Sequence, residues 1–484
     1  MKTLIPLLLS LCLLWACSSD DSDIPAPLPT IEWDQASGRF KIFTGEALTL
    51  VPILGNLDDN STIVWKTDGG TILATGSSYT FIREEAGTYY IRLLVTNCYG
   101  STEDEIRITV SEPENTEIPE VPVNDSTFSW RFPWTEISIA QGRDLKVKAY
   151  CIQNAGNARF QWTLDGQPLE GIPGEVACLF SSQQEGTHQL VLTMTNDTLQ
   201  TSQIFTIHVC PSPGTYRRNR SGQSLIDKVY EYTPAPGHWV NGYIIVGEMF
   251  PPNCSHEQAC DTVLAHFQRN WMVSLGGQGG YLVAGFDHSI AATDGNELLV
   301  KGNPYNYQSE PGIIWVSQDD NGDGLPNDQW FELAGSEYGT ANEQLEYAIT
   351  YYHPGKPNSA IVWRDADDNT DYIPYMSYWN PMPYYWQPWI PGNEHTYFGS
   401  RLESHHTYEG GLSSIPPYAW GYADNQGSDY TDVGRYSIAN ARTWEGQPAN
   451  LEYIDFIKIQ TAQNGWTPNL GEISTEVYSI RCNE

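Results

Sequence analysis

Basic residues are scarce in this chain. Twenty-five Lys and Arg stand against 59 Asp and Glu in 484 residues, a formal net charge of −34. A surface of that sign repels phosphate backbones and anionic headgroups, which excludes nucleic-acid binding as a main function. Long apolar runs are absent after the first 17 residues, so no segment reads as a membrane span. Cysteine never occurs as C-x-x-C, which removes support for a zinc site. There is no G-x-S-x-G elbow, no H-E-x-x-H, no P-loop and no dinucleotide-binding glycine pattern. The glycines of GGQGG (276–280) precede a strand pattern rather than a helix, so they build no phosphate cradle. Nothing marks a particular carboxylate pair for glycoside hydrolysis. The expectation is a protein that is not an enzyme.

What the chain has in excess is aromatic residues, Gly and Pro, a balance that suits β-structure joined by elaborate loops. The N-terminus MKTLIPLLLSLCLLWAC carries one positive charge, an apolar run too short to span a bilayer, and Ala16 before Cys17. It resembles a bacterial lipoprotein signal (1–16), in which Cys17 is acylated and becomes the new N-terminus. The Ser/Asp run 18–23 opens an acidic tether (17–29) and resembles the export tag of certain gut-bacterial lipoproteins. The expected location is the outer face of the outer membrane, anchored by lipid on Cys17. Exported proteins keep disulfides. Cys254–Cys260, Cys151–Cys178 and Cys210–Cys482 are the expected pairs among the seven remaining cysteines.

An internal repeat is legible. VWKTDGG (64–70), GTYYIRLLVTN (87–97) and EIRITV (105–110) are echoed by QWTLDGQ (161–167), GTHQLVLTMTN (186–196) and IFTIHV (204–209). From Gly87 and Gly186 onward the offset is constant at 99 residues. Alternation of apolar and polar residues, with one Trp before a D-G turn, predicts half-buried strands. The units resemble immunoglobulin-like or PKD-type β-sandwiches at 30–112 and 127–210, joined by a Pro-rich acidic linker at 113–126. Such modules serve mostly as spacers or docking surfaces. Residues 211–484 carry many short strand patterns and one helical one, 256–271. The fold class expected is therefore all-β: two sandwiches followed by a larger jelly-roll or sandwich-like domain with long loop insertions.

The longest insertion holds YMSYWNPMPYYWQPWIPG (375–392), with seven aromatic residues and four prolines in eighteen. Proline excludes a helix interior or a central strand there. Long loops inside compact domains are usually functional. Rings on a proline-stiffened shelf offer apolar faces at small entropic cost. The expected ligand contacts are Tyr375, Met376, Tyr378, Trp379, Met382, Tyr384, Tyr385, Trp386 and Trp389, with His395 and His405 beside them. This shelf reading predicts that Trp386→Ala with Trp389→Ala weakens binding and leaves the melting temperature nearly unchanged. The opposing reading is that the rings plug the open end of the β-domain.

DDNGDGLPNDQWFE (319–332) opens as D-x-N-x-D-G, the start of an oxygen-lined Ca²⁺ loop. Asp319, Asn321 and Asp323 are the expected ligands, with the Leu325 carbonyl next and Asp328 or Glu332 completing the set. The twelfth position is Trp330, unlike an EF-hand, and the flanks read as strands. The expected role of calcium is structural.

PGIIWVSQDDNGDGLPNDQWFELAGSEY (311–338), WGYADNQGSDY (420–430), and IDFIKIQTAQNGW (454–466) with GEISTEV (471–477) resemble a family of gut-bacterial surface lipoproteins encoded beside vitamin B12 transporters. The resemblance implies a C-terminal cobalamin-binding domain, cobalamin as ligand rather than cofactor, and handover to an outer-membrane TonB-dependent transporter. A carbohydrate-binding surface lipoprotein is the rival reading, since sugars also stack on Trp and Tyr. A glycosidase is the third.

Overall fold

The structure, a computed structural model, describes residues 27–483 except 34–38, 86, 112–117, 123–126, 213, 244–246, 252, 294, 306, 357, 377–385, 410–411, 427–432 and 469. The lipoprotein signal, Cys17 and most of the acidic tether lie outside the described residues. The chain is all-β apart from a single helix and a short 3₁₀ turn among the described residues. No described helix is long and apolar enough to cross a membrane.

The chain forms two compact units, residues 1–113 and 114–484. In the first, a five-stranded sheet runs Arg39–Phe43, Gly100–Ser111, Gly87–Asn97, Thr62–Thr67, Ile72–Thr75. Ile91, Leu93 and Val95 alternate inward and close on Trp65, which is fully buried and donates Nε1–H to the Gly76 carbonyl at 2.9 Å. Period-two alternation thus places one apolar face on the core.

The 99-residue repeat reproduces this topology in the second unit. Its sandwich runs Glu136–Ala140, Gln200–Cys210, Gly186–Thr195, Arg159–Leu164, Gln167–Leu169, with Trp162 at the core. In both sandwiches the first-listed strand pairs in parallel with the last strand of its module.

The remainder of this unit is built on a six-stranded sheet in the order Lys228–Thr233, Tyr281–Ala291, Tyr453–Thr461, Gly312–Ser317, Trp330–Leu333, Ala441–Arg442. One face carries Leu282, Ala284, Ile314, Val316, Ile457 and Ile459, all buried in the main core. Each Leu, Ile or Val among them contributes about 1.5–3 kcal/mol when removed from water. The helix His256–Gln268 packs Ala259, Val263 and Phe267, spaced by four, into the same core. Ser255 and Gln258 form a reciprocal capping box that fixes where it starts. It stops at Gln268, short of Trp271.

The strand Glu394–Leu402 and its partners Glu343–Tyr352, Ile361–Asp365 and Thr370–Ile373 form a separate four-stranded sheet. Its core of Tyr347, Ile349, Tyr351 and Tyr397 packs with Tyr281 of the six-stranded sheet. Gly276 has φ +71°, and a Cβ there meets the Ala235 carbonyl oxygen at 1.9 Å, so that turn admits only glycine. The expected disulfides are not formed: Cys98, Cys151, Cys178, Cys210, Cys254 and Cys260 are thiols. Cys254 and Cys260 both point into the apolar core, where they pack as small hydrophobes.

Candidate functional site

The second face of the six-stranded sheet is different. Cross-strand pairing aligns Glu231, Val283, Lys458, Trp315, Glu332 and Arg442 in one transverse row. All six line a cavity of about 910 Å³. A sheet face turned to a core carries apolar residues; this one carries four charged side chains and an indole. The strand Glu394–Leu402 supplies a second wall through His395, Tyr397, Phe398 and Ser400. The second sandwich supplies the third through Arg131, Phe132, Trp134, Leu145, Lys146 and Tyr150.

The sandwich is therefore more than a spacer. Arg143 pairs with Asp320 at 2.6 Å, and Lys146 and Lys148 both reach Glu346 at 2.9 Å. Ser138 N–H donates to the Asn327 carbonyl at 2.9 Å, Gln329 donates to the Asp144 carbonyl at 2.8 Å, and Tyr150 meets Phe398 edge-on at 5.3 Å. These contacts fix the sandwich wall against the cleft's other walls.

Electrostatics single out the floor. Burial, and then the charge of neighbouring Glu343, push Glu332 well above the ordinary carboxylate range. Burial likewise raises Glu343. Glu332 Oε2 accepts from the Ser400 hydroxyl at 2.6 Å, while its Oε1 and both Glu343 oxygens meet no donor among the described residues. Two facing carboxyls of this kind hold a shared proton. Burial pulls the Lys458 ammonium down to about 8, partly offset by Glu231 and Glu332. Its Nζ stands 4.6 Å from the Tyr281 ring centroid and 5.7 Å from that of Trp315. Burial also lowers His395.

Among the described residues of the expected contact set, His395 alone lines the cleft. Tyr375 is buried among Tyr347, Ile361 and Ile373, and Met376 is half-buried. Trp386 packs on His353 and donates its indole N–H to the Ile390 carbonyl at 3.1 Å. Trp389 lies against Tyr232 and Phe250 and donates to the Tyr232 carbonyl at 2.8 Å. Trp386 and Trp389 thus pin the described end of the stretch to the protein through their rings and indole N–H groups, where its prolines have no backbone N–H to donate. Tyr378, Trp379, Met382, Tyr384 and Tyr385 lie outside the described residues. His405 is exposed and rests on Tyr418, away from the cleft.

The acidic loop is a tight turn. Asp319 accepts N–H groups from Gly322 at 2.8 Å and Gly324 at 3.0 Å, and Asp323 accepts from Leu325 at 2.7 Å. Asn321 donates to the Ser138 hydroxyl at 3.0 Å, fastening the turn to the sandwich. Asp328 is buried, its Oδ1 accepting from Asp320 N–H at 3.2 Å and its Oδ2 meeting no donor among the described residues. Burial first, then Asp320 and Asp319, push it up to about 9. Glu332, expected as a ligand, points from its strand into the cleft and does not join this loop.

A second acidic cluster lies outside the cleft. Carboxyl oxygens of Glu310, Asp424 and Glu476 converge within 4.8 Å. Burial above all raises each of them. Backbone N–H groups of Ser474, Asn303 and Glu476 donate into the cluster. Sequence inspection missed both clusters and the row. The available signal was charge interrupting an apolar strand, as with Asp455 and Lys458 in YIDFIKIQT and Glu332 in WFEL.

A family comparison agrees with the assignment of the first sandwich. Residues 28–97 match a PKD-like domain family. None of the curated proteins matches the chain. Among solved structures, the fibronectin(III)-like modules of Clostridium thermocellum CbhA share 14% identity over 40% of this chain and 100% of theirs, with a TM-score of 0.16. The titin domains z1z2 in complex with telethonin share 11% over 39% of this chain and 98% of theirs, with a TM-score of 0.15. At those TM-scores neither likeness bears on ligand or activity.

Proposed function

We propose that this chain is a non-enzymatic capture protein. On this reading its cleft between the second sandwich and the six-stranded sheet binds cobalamin or a related corrinoid. The supporting observation is the cleft itself. At about 910 Å³ it lies at the upper end of small-molecule sites. Eleven of its lining residues are aromatic: Phe132, Trp134, Tyr150, Tyr281, Trp315, Trp330, Phe331, Tyr338, Tyr397, Phe398 and Trp444. A corrinoid is bulky, semi-rigid and apolar at its rim with an amide fringe, so ring faces edged by polar groups suit it. The sequence resemblance points the same way. Acylation at Cys17 would tether the protein to the outer membrane, facing outward, where it would hand ligand to a TonB-dependent transporter.

The test is direct. Purified protein mixed with cyanocobalamin and desalted carries red colour in the protein fraction, and Trp134→Ala or Trp444→Ala reduces it severalfold. A colourless protein fraction with retention on a glycan array overturns the corrinoid assignment and supports a lectin.

Calcium belongs to the same proposal as a stiffener. Asp319, Asn321, Asp323 and Asp328 offer hard oxygen donors, and the unpartnered Asp328 oxygen fits a cation. Because the loop fastens the sandwich through Asn321 and Asn327, EDTA is expected to lower the melting temperature by several degrees, with recovery on added Ca²⁺. An unchanged melt removes the ion from the account.

A further inference from the structure

We propose that the Lys458 ammonium is an anion subsite on the cleft floor, seating one acidic group of the ligand, a phosphate or a carboxylate. This rests on the cleft being the ligand site. The argument is a charge census. Each carboxylate on the cleft already has a partner. Glu136 meets His208 at 2.8 Å, Glu231 accepts from the Tyr281 hydroxyl at 2.7 Å, and Glu332 accepts from the Ser400 hydroxyl at 2.6 Å. Glu346 is held by Lys146 and Lys148, Glu394 by Arg131, and Asp328 by the Asp320 N–H.

The cations divide differently. Arg131 and Lys146 are neutralised by those same carboxylates. Arg442 donates to the Ala439 and Ala441 carbonyls, each at 3.1 Å. Lys458 alone among the cleft's described cations meets neither a carboxylate nor a carbonyl. Its contacts are the ring faces of Tyr281 and Trp315. Val283 separates it in the row from Glu231. Ring faces orient an ammonium and leave its three N–H donors for an incoming oxygen. In a protein with so few basic residues, one held unpaired on an aromatic floor is a built feature.

The experiment compares corrinoids with and without the nucleotide loop that carries the anion. Cyanocobalamin carries a phosphodiester, whereas dicyanocobinamide keeps the corrin and its amides without it. Lys458→Met preserves the stem, and Lys458→Arg preserves the charge. A charge-assisted contact corresponds to about tenfold or more in affinity. Lys458→Met is therefore expected to weaken cyanocobalamin at least tenfold, leave dicyanocobinamide within twofold, and be rescued in part by Lys458→Arg. Equal loss for both ligands, or no loss for either, overturns the subsite.

If the wild-type protein binds neither corrinoid, the proposed function fails and a second arm still decides the subsite. Phenylphosphonate and benzyl alcohol present the same ring with and without an anion. Phenylphosphonate is expected to perturb the Trp resonances of the wild type and not those of Lys458→Met. Equal response to the two probes, or no response to either, overturns the anion subsite. Matched melting curves guard against misfolding of the variants.

Discussion

Trp389→Ala is expected to lower the unfolding free energy by about 3 kcal/mol, the lower end for removing a large aromatic side chain from packed surroundings. The indole lies edge-on to Phe250 at 5.1 Å and beside Tyr232 at 6.0 Å, and its N–H holds the Tyr232 carbonyl. Truncation leaves a cavity over the main core and strips that carbonyl of its donor. Denaturant titration of wild type and variant measures it, the midpoint falling with slope unchanged. A melting temperature within a degree of wild type restores the shelf reading, in which this ring faces outward.

Stability is expected to fall as pH rises from 5 to 7, opposite to the usual acid sensitivity of carboxylate ion pairs. The sign follows from proton counts. Glu332, Glu343, Glu310, Asp424 and Glu476 are all raised in the folded chain, burial being the first cause in each. Unfolded carboxylates titrate near 4. Between pH 5 and 7 the folded chain thus holds protons that the unfolded chain has released. Each such proton corresponds to about 1.4 kcal/mol of stability lost per pH unit. With at least one proton in each cluster, these carboxyls contribute a loss of about 3 kcal/mol per unit until they ionise, offset in part by His266 and His395, which burial lowers and which therefore act in the opposite direction. Melting curves at pH 5.5 and 7.5 check the direction, and Glu332→Gln is expected to flatten the slope. Higher stability at pH 7.5 is incompatible with protonated clusters.

The parts legible in the sequence were those written in local patterns. The 99-residue repeat, the alternation of Ile91, Leu93 and Val95, and the Trp before each D-G turn marked the sandwiches, because strand periodicity is a property of neighbours along one chain. The turn at 319–324 was legible for the same reason: short side chains closing on their own backbone. The cleft floor was not legible. Glu231, Val283, Lys458, Trp315, Glu332 and Arg442 come from six strands, and only register brings them abreast. In the aromatic stretch, composition marked rings in a loop, while the packing of Trp389 on Tyr232 and of Trp386 on His353 depended on residues far away in the chain.

By itself, then, the sequence determined the all-β class and the acidic turn through spacing within a dozen or so residues, the paired modules through a 99-residue repeat, and the acidic surface through composition. Tertiary structure alone decided that Trp386 packs on His353 and Trp389 on Tyr232 and Phe250, that the second sandwich walls a cleft, and that Glu332 and Glu343 meet. Those outcomes depend on hydrogen-bond register between distant strands and on packing between modules, which no local pattern encodes.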